Sequence, residues 1–136
     1  MRKINKIIIH CAATPEGKNF TVEDINRWHK ERGFIKIGYH YVIYIDGSIH
    51  QGRELGEVGA HCTGYNRDSI GICYIGGIDK DGKTPKDTRT NAQKESLLKL
   101  IKELKTKFPQ AEIYGHRDFS KKDCPSFDAK TEYENI

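Results

Sequence analysis

At 136 residues, 36% of them hydrophobic and 31% charged, the chain has enough apolar material to close one core and reads as a single unit over 1–136. Lys and Arg exceed Asp and Glu by 23 to 19, a formal charge of +4 spread along the chain, which suits an anionic polymer without choosing one. No apolar run is long enough to cross a bilayer, and the four cysteines do not have the spacing of a disulfide scaffold.

Residues 4–11 predict a buried strand, with Ile4, Ile8 and His10 on one face and Ile7 and Ile9 on the other. The preceding Met1-Arg2-Lys3 has a trace of a signal peptide. Asn5 and Lys6 interrupt the short apolar run, however, and no small-residue cleavage site follows, so cytoplasmic synthesis is expected. Thr14-Pro15-Glu16-Gly17 reads as a loop, after which Thr21 caps a helix over about 22–32 that Gly33 stops. Val22, Ile25, Trp28 and His29 share one side of that helix. Residues 39–45 alternate as a strand, and Asp46-Gly47 turns it back into Ser48–Gln51. A further apolar strand covers 69–75 and ends at Gly76-Gly77. Residues 78–90 are polar and turn-rich. Thr90-Asn91-Ala92-Gln93 has capping-box spacing and opens a helix to about Phe108, with Leu97, Leu98, Leu100, Ile101 and Leu104 as its buried stripe. Residues 111–114 form a last strand that delivers His116 from its end. These elements predict an α/β fold with a central mixed sheet flanked by helices.

The richest chemistry lies in Gly115–Pro125, which carries His116, Lys121, Lys122 and Cys124 in one loop-like stretch. A fold that brings His10 to His116 and Cys124 makes a three-ligand metal site with an open position, the arrangement of a zinc hydrolase. Each residue also has a plainer reading. His10 can be a buried histidine satisfied by a carbonyl, His116 a surface-loop imidazole, and Cys124 a core thiol. Lys122 can stabilise a developing oxyanion or be an ordinary solvated lysine; Tyr39 can offer its hydroxyl or be a sheet aromatic. His61 lies in a glycine-rich loop of the sort that lines ligands, whereas His29 and His50 read as packing or surface residues.

Several motifs occur in order: Arg27-Trp28-His29, Gly38-Tyr39-His40-Tyr41, Gly59-Ala60-His61, Gly64-Tyr65-Asn66, Ser69-Ile70-Gly71-Ile72, Gly76-Gly77-Ile78-Asp79 and Cys124-Pro125-Ser126-Phe127-Asp128. From Ile7 to about Asp128 the chain resembles the phage-lysozyme-like N-acetylmuramoyl-L-alanine amidases, zinc enzymes related to peptidoglycan recognition proteins, and among them the short lysozymes of T7-like phages. The resemblance implies Zn²⁺ held in a surface groove by His10, His116 and Cys124, with Tyr39 and Lys122 catalytic. His61 and Asn66 match positions that line or shape the groove. It further implies hydrolysis of the amide between the N-acetylmuramic acid lactyl group and L-alanine in bacterial peptidoglycan. A monomer with no nucleic-acid partner and no membrane insertion is expected, acting as an endolysin that reaches the wall once the membrane opens. A peptidoglycan-binding module without turnover is the alternative, although retention of Cys124 favours the catalytic branch. Asp118 is a candidate hydrogen-bond partner behind His116.

Overall fold

The structure, a computed structural model, describes residues 2–136. Strand β1 (Lys6–Cys11) is its axis, and Ile7, Ile8 and Ile9 are wholly buried. A strand hidden on both faces suits the interior of a parallel sheet. Accordingly, β1 pairs in parallel with β5 (Ser69–Tyr74) on one side and β7 (Glu112–Gly115) on the other. The sheet continues through β3 (Tyr41–Ile43), parallel to β5, to an antiparallel edge strand β4 (Ile49–Gln51), in the order β4-β3-β5-β1-β7.

Two cores cover its faces. Ile7, Ile9, Cys11, Ile70, Ile72 and Tyr74 meet Leu97, Leu100, Ile101 and Leu104 of α2 (Asn91–Lys107) on one face. Val42, Cys73 and Ile75 meet Ile25 and Trp28 of α1 (Val22–Glu31) on the other. The expected α/β class and mixed sheet are therefore present, arranged as helix, sheet and helix. Both long helices start where their caps predict. Thr21 and Asp24 exchange bonds at the first, as do Thr90 and Gln93 at the second.

Three expectations change. Ile4 packs with Ile7 and Ile9 rather than with Ile8, because the strand begins only at Lys6 and the alternation does not extend upstream. The strand expected over 39–45 shortens to Tyr41–Ile43, so Tyr39 lies in the irregular segment leading into it. Thr14–Pro15 is not only loop: as β2 it pairs in parallel with β6 (Gly77–Ile78) in a small second sheet.

The carboxyl-terminal segment ends in α3 (Ala129–Glu132) and is fastened by a buried arginine. Arg89 bonds Asp87 at 2.9 Å, Glu132 at 2.8 and 2.9 Å, and the Tyr133 hydroxyl at 3.0 Å. Its guanidinium lies 3.4 Å from the Phe127 ring centroid. Replacing Arg89 with Met should cost about 3 kcal/mol in denaturant unfolding. That is the low end for breaking a buried pair, because the Asp87 and Glu132 side chains stay 32% and 43% exposed and can be hydrated. The bond from Arg89 holds Glu132 below the usual carboxylate range. A depressed folded pKa contributes stability above the unfolded value, near 4, that is lost as pH falls through the folded value. The difference between wild type and Arg89→Met should therefore narrow below about pH 4, which unfolding curves at several pH values would measure.

Candidate metal centre and its groove

Three separate pieces of chain converge at one end of the sheet. His10 lies near the end of β1, on the face it shares with its parallel neighbour Cys73, and is 1% exposed. β7 runs alongside and releases His116 into a 3₁₀ turn over His116–Asp118. The Asp118 carboxylate accepts the Gly115 N–H at 2.8 Å, so it braces that turn from its backbone, the expected bond to the imidazole giving way to the nearer amide. Cys124 is fixed from several sides. Its carbonyl accepts from Arg117 N–H at 2.8 Å, its sulfur accepts from Cys11 N–H at 3.1 Å, and the following Pro125 carbonyl accepts from the Tyr74 hydroxyl at 2.6 Å.

The ligand atoms of His10, His116 and Cys124 all lie within 4.8 Å of one another. Nδ1 of His10 faces Cys124 Sγ at 3.9 Å, and the two imidazole centroids are 4.6 Å apart. A tetrahedral zinc with bonds of about 2.1 Å to nitrogen and about 2.3 Å to sulfur separates those ligands by about 3.6 Å. The Nδ1–Sγ spacing exceeds this by a few tenths of an ångström and the three ligand atoms stay within 4.8 Å of one another, so the donor set suits the ion in kind and lies near its size. Burial, reinforced by His61, His116 and Lys122, drives the His10 pKa well down. Burial and then Lys122 lower that of His116. Both rings are thereby kept neutral, the form that lends a lone pair. Contact with the Cys11 thiol, then burial, raises the Cys124 pKa, so thiolate formation there depends on a cation.

In front of this cluster opens a cavity of about 550 Å³. Cys124 and His116 reach its wall, with His10 behind them, and Tyr39 and Lys122 flank them. The Tyr39 ring is 5.0 Å from that of His10, and burial raises its pKa well above the ordinary value, so the phenol keeps its proton as a donor. Among the described residues, no Asp or Glu lines the cavity, whereas Arg32 and Lys122 do. Phe119 adds an apolar face, its ring centroid 4.2 Å from that of Tyr65 in a tilted arrangement.

All of the expected site residues thus come together, some in unexpected attitudes. His61 and Asn66 line the cavity but bond inward. His61 Nδ1 lies 2.8 Å from His10 Nε2, and Asn66 Oδ1 accepts the backbone N–H groups of His61 and Cys62, both at 2.9 Å. His29, expected only to pack or face solvent, is 6% exposed and lines the cavity 5.3 Å from Tyr39; its Nδ1 accepts from Gly38 N–H at 2.9 Å. Its place beside Ile25 and Trp28 on the apolar side of α1 was the available signal. Burial sets the His29 and His40 pKa values down to about 4 and that of His61 down to about 3, so these imidazoles are neutral as well. Arg32, just past the end of α1, carried no motif and was not anticipated.

Relatives share both sequence and fold. The chain is 41% identical over 133 residues to the endolysin of Klebsiella phage KP32, covering 98% of this chain and 87% of that one. It is 43% identical over 128 residues to the endolysin of Escherichia phage T7, with coverage of 94% and 84%. Among solved structures, the N-acetylmuramoyl-L-alanine amidase LysC from Clostridium intestinale URNW superposes with a TM-score of 0.82 at 30% identity, over 96% of this chain and 82% of that one. A family described as N-acetylmuramoyl-L-alanine amidase matches residues 1–127, nearly everything from before β1 to beyond Cys124. With that match added to the convergence of His10, His116 and Cys124, the chain belongs to the N-acetylmuramoyl-L-alanine amidase family.

Proposed function

We propose that this chain is a zinc-dependent hydrolase of the amide between the N-acetylmuramic acid lactyl group and L-alanine in peptidoglycan. The observation that carries the reading is the cluster of two imidazoles and a thiol beside Tyr39 and Lys122, at a cavity without lining carboxylates, in a member of this family. Zn²⁺ held by His10, His116 and Cys124 supplies Lewis-acid polarisation and acidification of water. Two neutral imidazoles and a thiolate cancel only one of its two charges, so it stays electrophilic.

The chain's own groups do the rest. The Lys122 ammonium stabilises the oxygen of the lactyl carbonyl as negative charge develops there, with no neighbouring lining carboxylate to neutralise it. The Tyr39 hydroxyl donates a second hydrogen bond to that oxygen or orients the attacking water. Arg32 extends the positive lining towards the free carboxylates of the stem peptide, and Phe119 gives the substrate an apolar surface.

Incubation of metal-analysed protein with purified peptidoglycan, with and without a chelator, tests this by mass analysis of the soluble products. The expected products are stem peptides beginning at L-alanine, absent with chelator and restored by zinc. Zinc-loaded protein that remains on intact wall and releases no peptide would make the domain a binding module instead. The relatives named endolysin support a lytic role, and such a role requires the protein to accumulate inside the cell before lysis. Fractionation of intact host cells should then find the protein inside; its appearance outside before lysis would contradict that role.

A further inference from the structure

His10 has two ring nitrogens, and both have neighbours. Nδ1 faces Cys124 Sγ at 3.9 Å, while Nε2 lies 2.8 Å from His61 Nδ1. A hydrogen bond between two neutral imidazoles needs the proton on one of the facing nitrogens and a lone pair on the other. If His61 donated, Nδ1 of His10 would carry the remaining proton and have no lone pair for a metal. If His10 donates from Nε2, Nδ1 is bare and directed at the cluster. His61 then carries its own proton on Nε2, which lies 3.1 Å from the Ser69 hydroxyl, an acceptor in this arrangement.

His61 is built into this position. Asn66 Oδ1 ties down its backbone N–H and that of Cys62, each at 2.9 Å. Its ring lies flat on β5 at Gly71, where an added Cβ would fall 2.7 Å from the imidazole. Ser69 and Gly71 alternate onto the same face of β5 as Cys73, the partner of His10 in the parallel register. The sheet therefore places the hydroxyl, the bare backbone under the ring and the metal-facing histidine in one row.

We propose that His61 is a positioning residue of the metal centre: it accepts the Nε2 proton of His10, fixing that ring's tautomer and rotation, with Asn66, Ser69 and Gly71 holding it in place. This assigns His61 and Asn66 to preparing a ligand, and it rests on the metal reading above. An accepted Nε2 proton also makes the opposite nitrogen a more basic ligand.

Zinc affinity, read by competition with a chromophoric chelator, and the visible spectrum of the Co²⁺-substituted protein test the assignment without reference to turnover. His61→Leu, which offers no acceptor, should weaken zinc binding about 10–100-fold and alter the Co²⁺ bands. His61→Gln retains an acceptor oxygen and should recover much of the loss. Gly71→Ala, which leaves His61 chemically intact but displaces its ring, should weaken binding in the same direction. Circular dichroism of the metal-free proteins checks that each variant folds. Long-range ¹H–¹⁵N correlations in the wild-type zinc protein read the tautomers directly and should place the protons on Nε2 of both His10 and His61. Wild-type affinity and an unchanged Co²⁺ spectrum in His61→Leu, or a proton on Nδ1 of His61, would overturn the assignment. Zinc uptake that is indifferent to His10→Ala and Cys124→Ser would instead sink the metal reading beneath it, a separate result.

Discussion

Replacing Cys124 with Ser should lower amide hydrolysis by on the order of 10³-fold and leave less than stoichiometric zinc in the purified protein. A serine hydroxyl resembles the thiol in size but does not ionise under a cation as readily, so a charged ligand becomes a neutral one. Losing the metal's stabilisation of the developing charge removes several kcal/mol, and about 4 kcal/mol corresponds to about 10³ in rate. Fold and stability should change little. Cys124 is only partly buried, and its backbone is held independently by Arg117 N–H and by the Tyr74 hydroxyl at Pro125. Metal analysis, circular dichroism and a peptidoglycan assay on the same preparation separate these effects. A Cys124→Ser protein with full zinc and unimpaired turnover would remove the residue from the centre.

The second large effect should leave the metal alone. Lys122→Ala is expected to reduce kcat about 10²–10³-fold, the usual consequence of removing a donor aimed at developing charge, with zinc retained at wild-type stoichiometry. The side chain is exposed at the cavity rim and is not one of the clustered donors, so its removal opens no core and vacates no ligand. Tyr39→Phe should act similarly but more weakly, since it removes one hydroxyl and keeps the ring packed 5.0 Å from His10. If Lys122→Ala instead raised KM with kcat intact, the lysine would be a substrate-binding group. Loss of zinc in that variant would contradict its assigned role altogether.

The positions of His10 and His116 were legible because they sit at element ends, while it was the family resemblance that joined them to Cys124 as one cluster. His10 closes an apolar run and His116 follows one, the places from which strands present side chains to a cleft. Helix starts were legible for a similar reason: Thr21 and Thr90 bond residues only three positions away. What escaped depends on distant partners. Nothing near His61 announces that its acceptor nitrogen serves a histidine 51 positions earlier. Arg89 looks like one more charge in a polar stretch until Glu132, 43 positions later, folds back onto it. The pairing of Thr14–Pro15 with Gly77–Ile78 involves strands too short to show any period. Ile4 was misassigned because alternation says nothing about where a strand begins.

The placement of β1 between β5 and β7 has a consequence for how the protein comes into being. The first long strand to leave the ribosome is the one that needs both neighbours, and the final one, β7, is translated after almost everything else. His10 and Cys124 are separated by 114 positions, about 6–23 s of synthesis at about 5–20 residues per second. Until β5 is made the Ile7–Ile9 stretch has no strand to pair with, and until β7 is made one of its edges stays open, so it must be kept from its like on other nascent chains. A nascent chain that has not yet reached Cys124 therefore lacks one of the three residues of the His10–His116–Cys124 cluster.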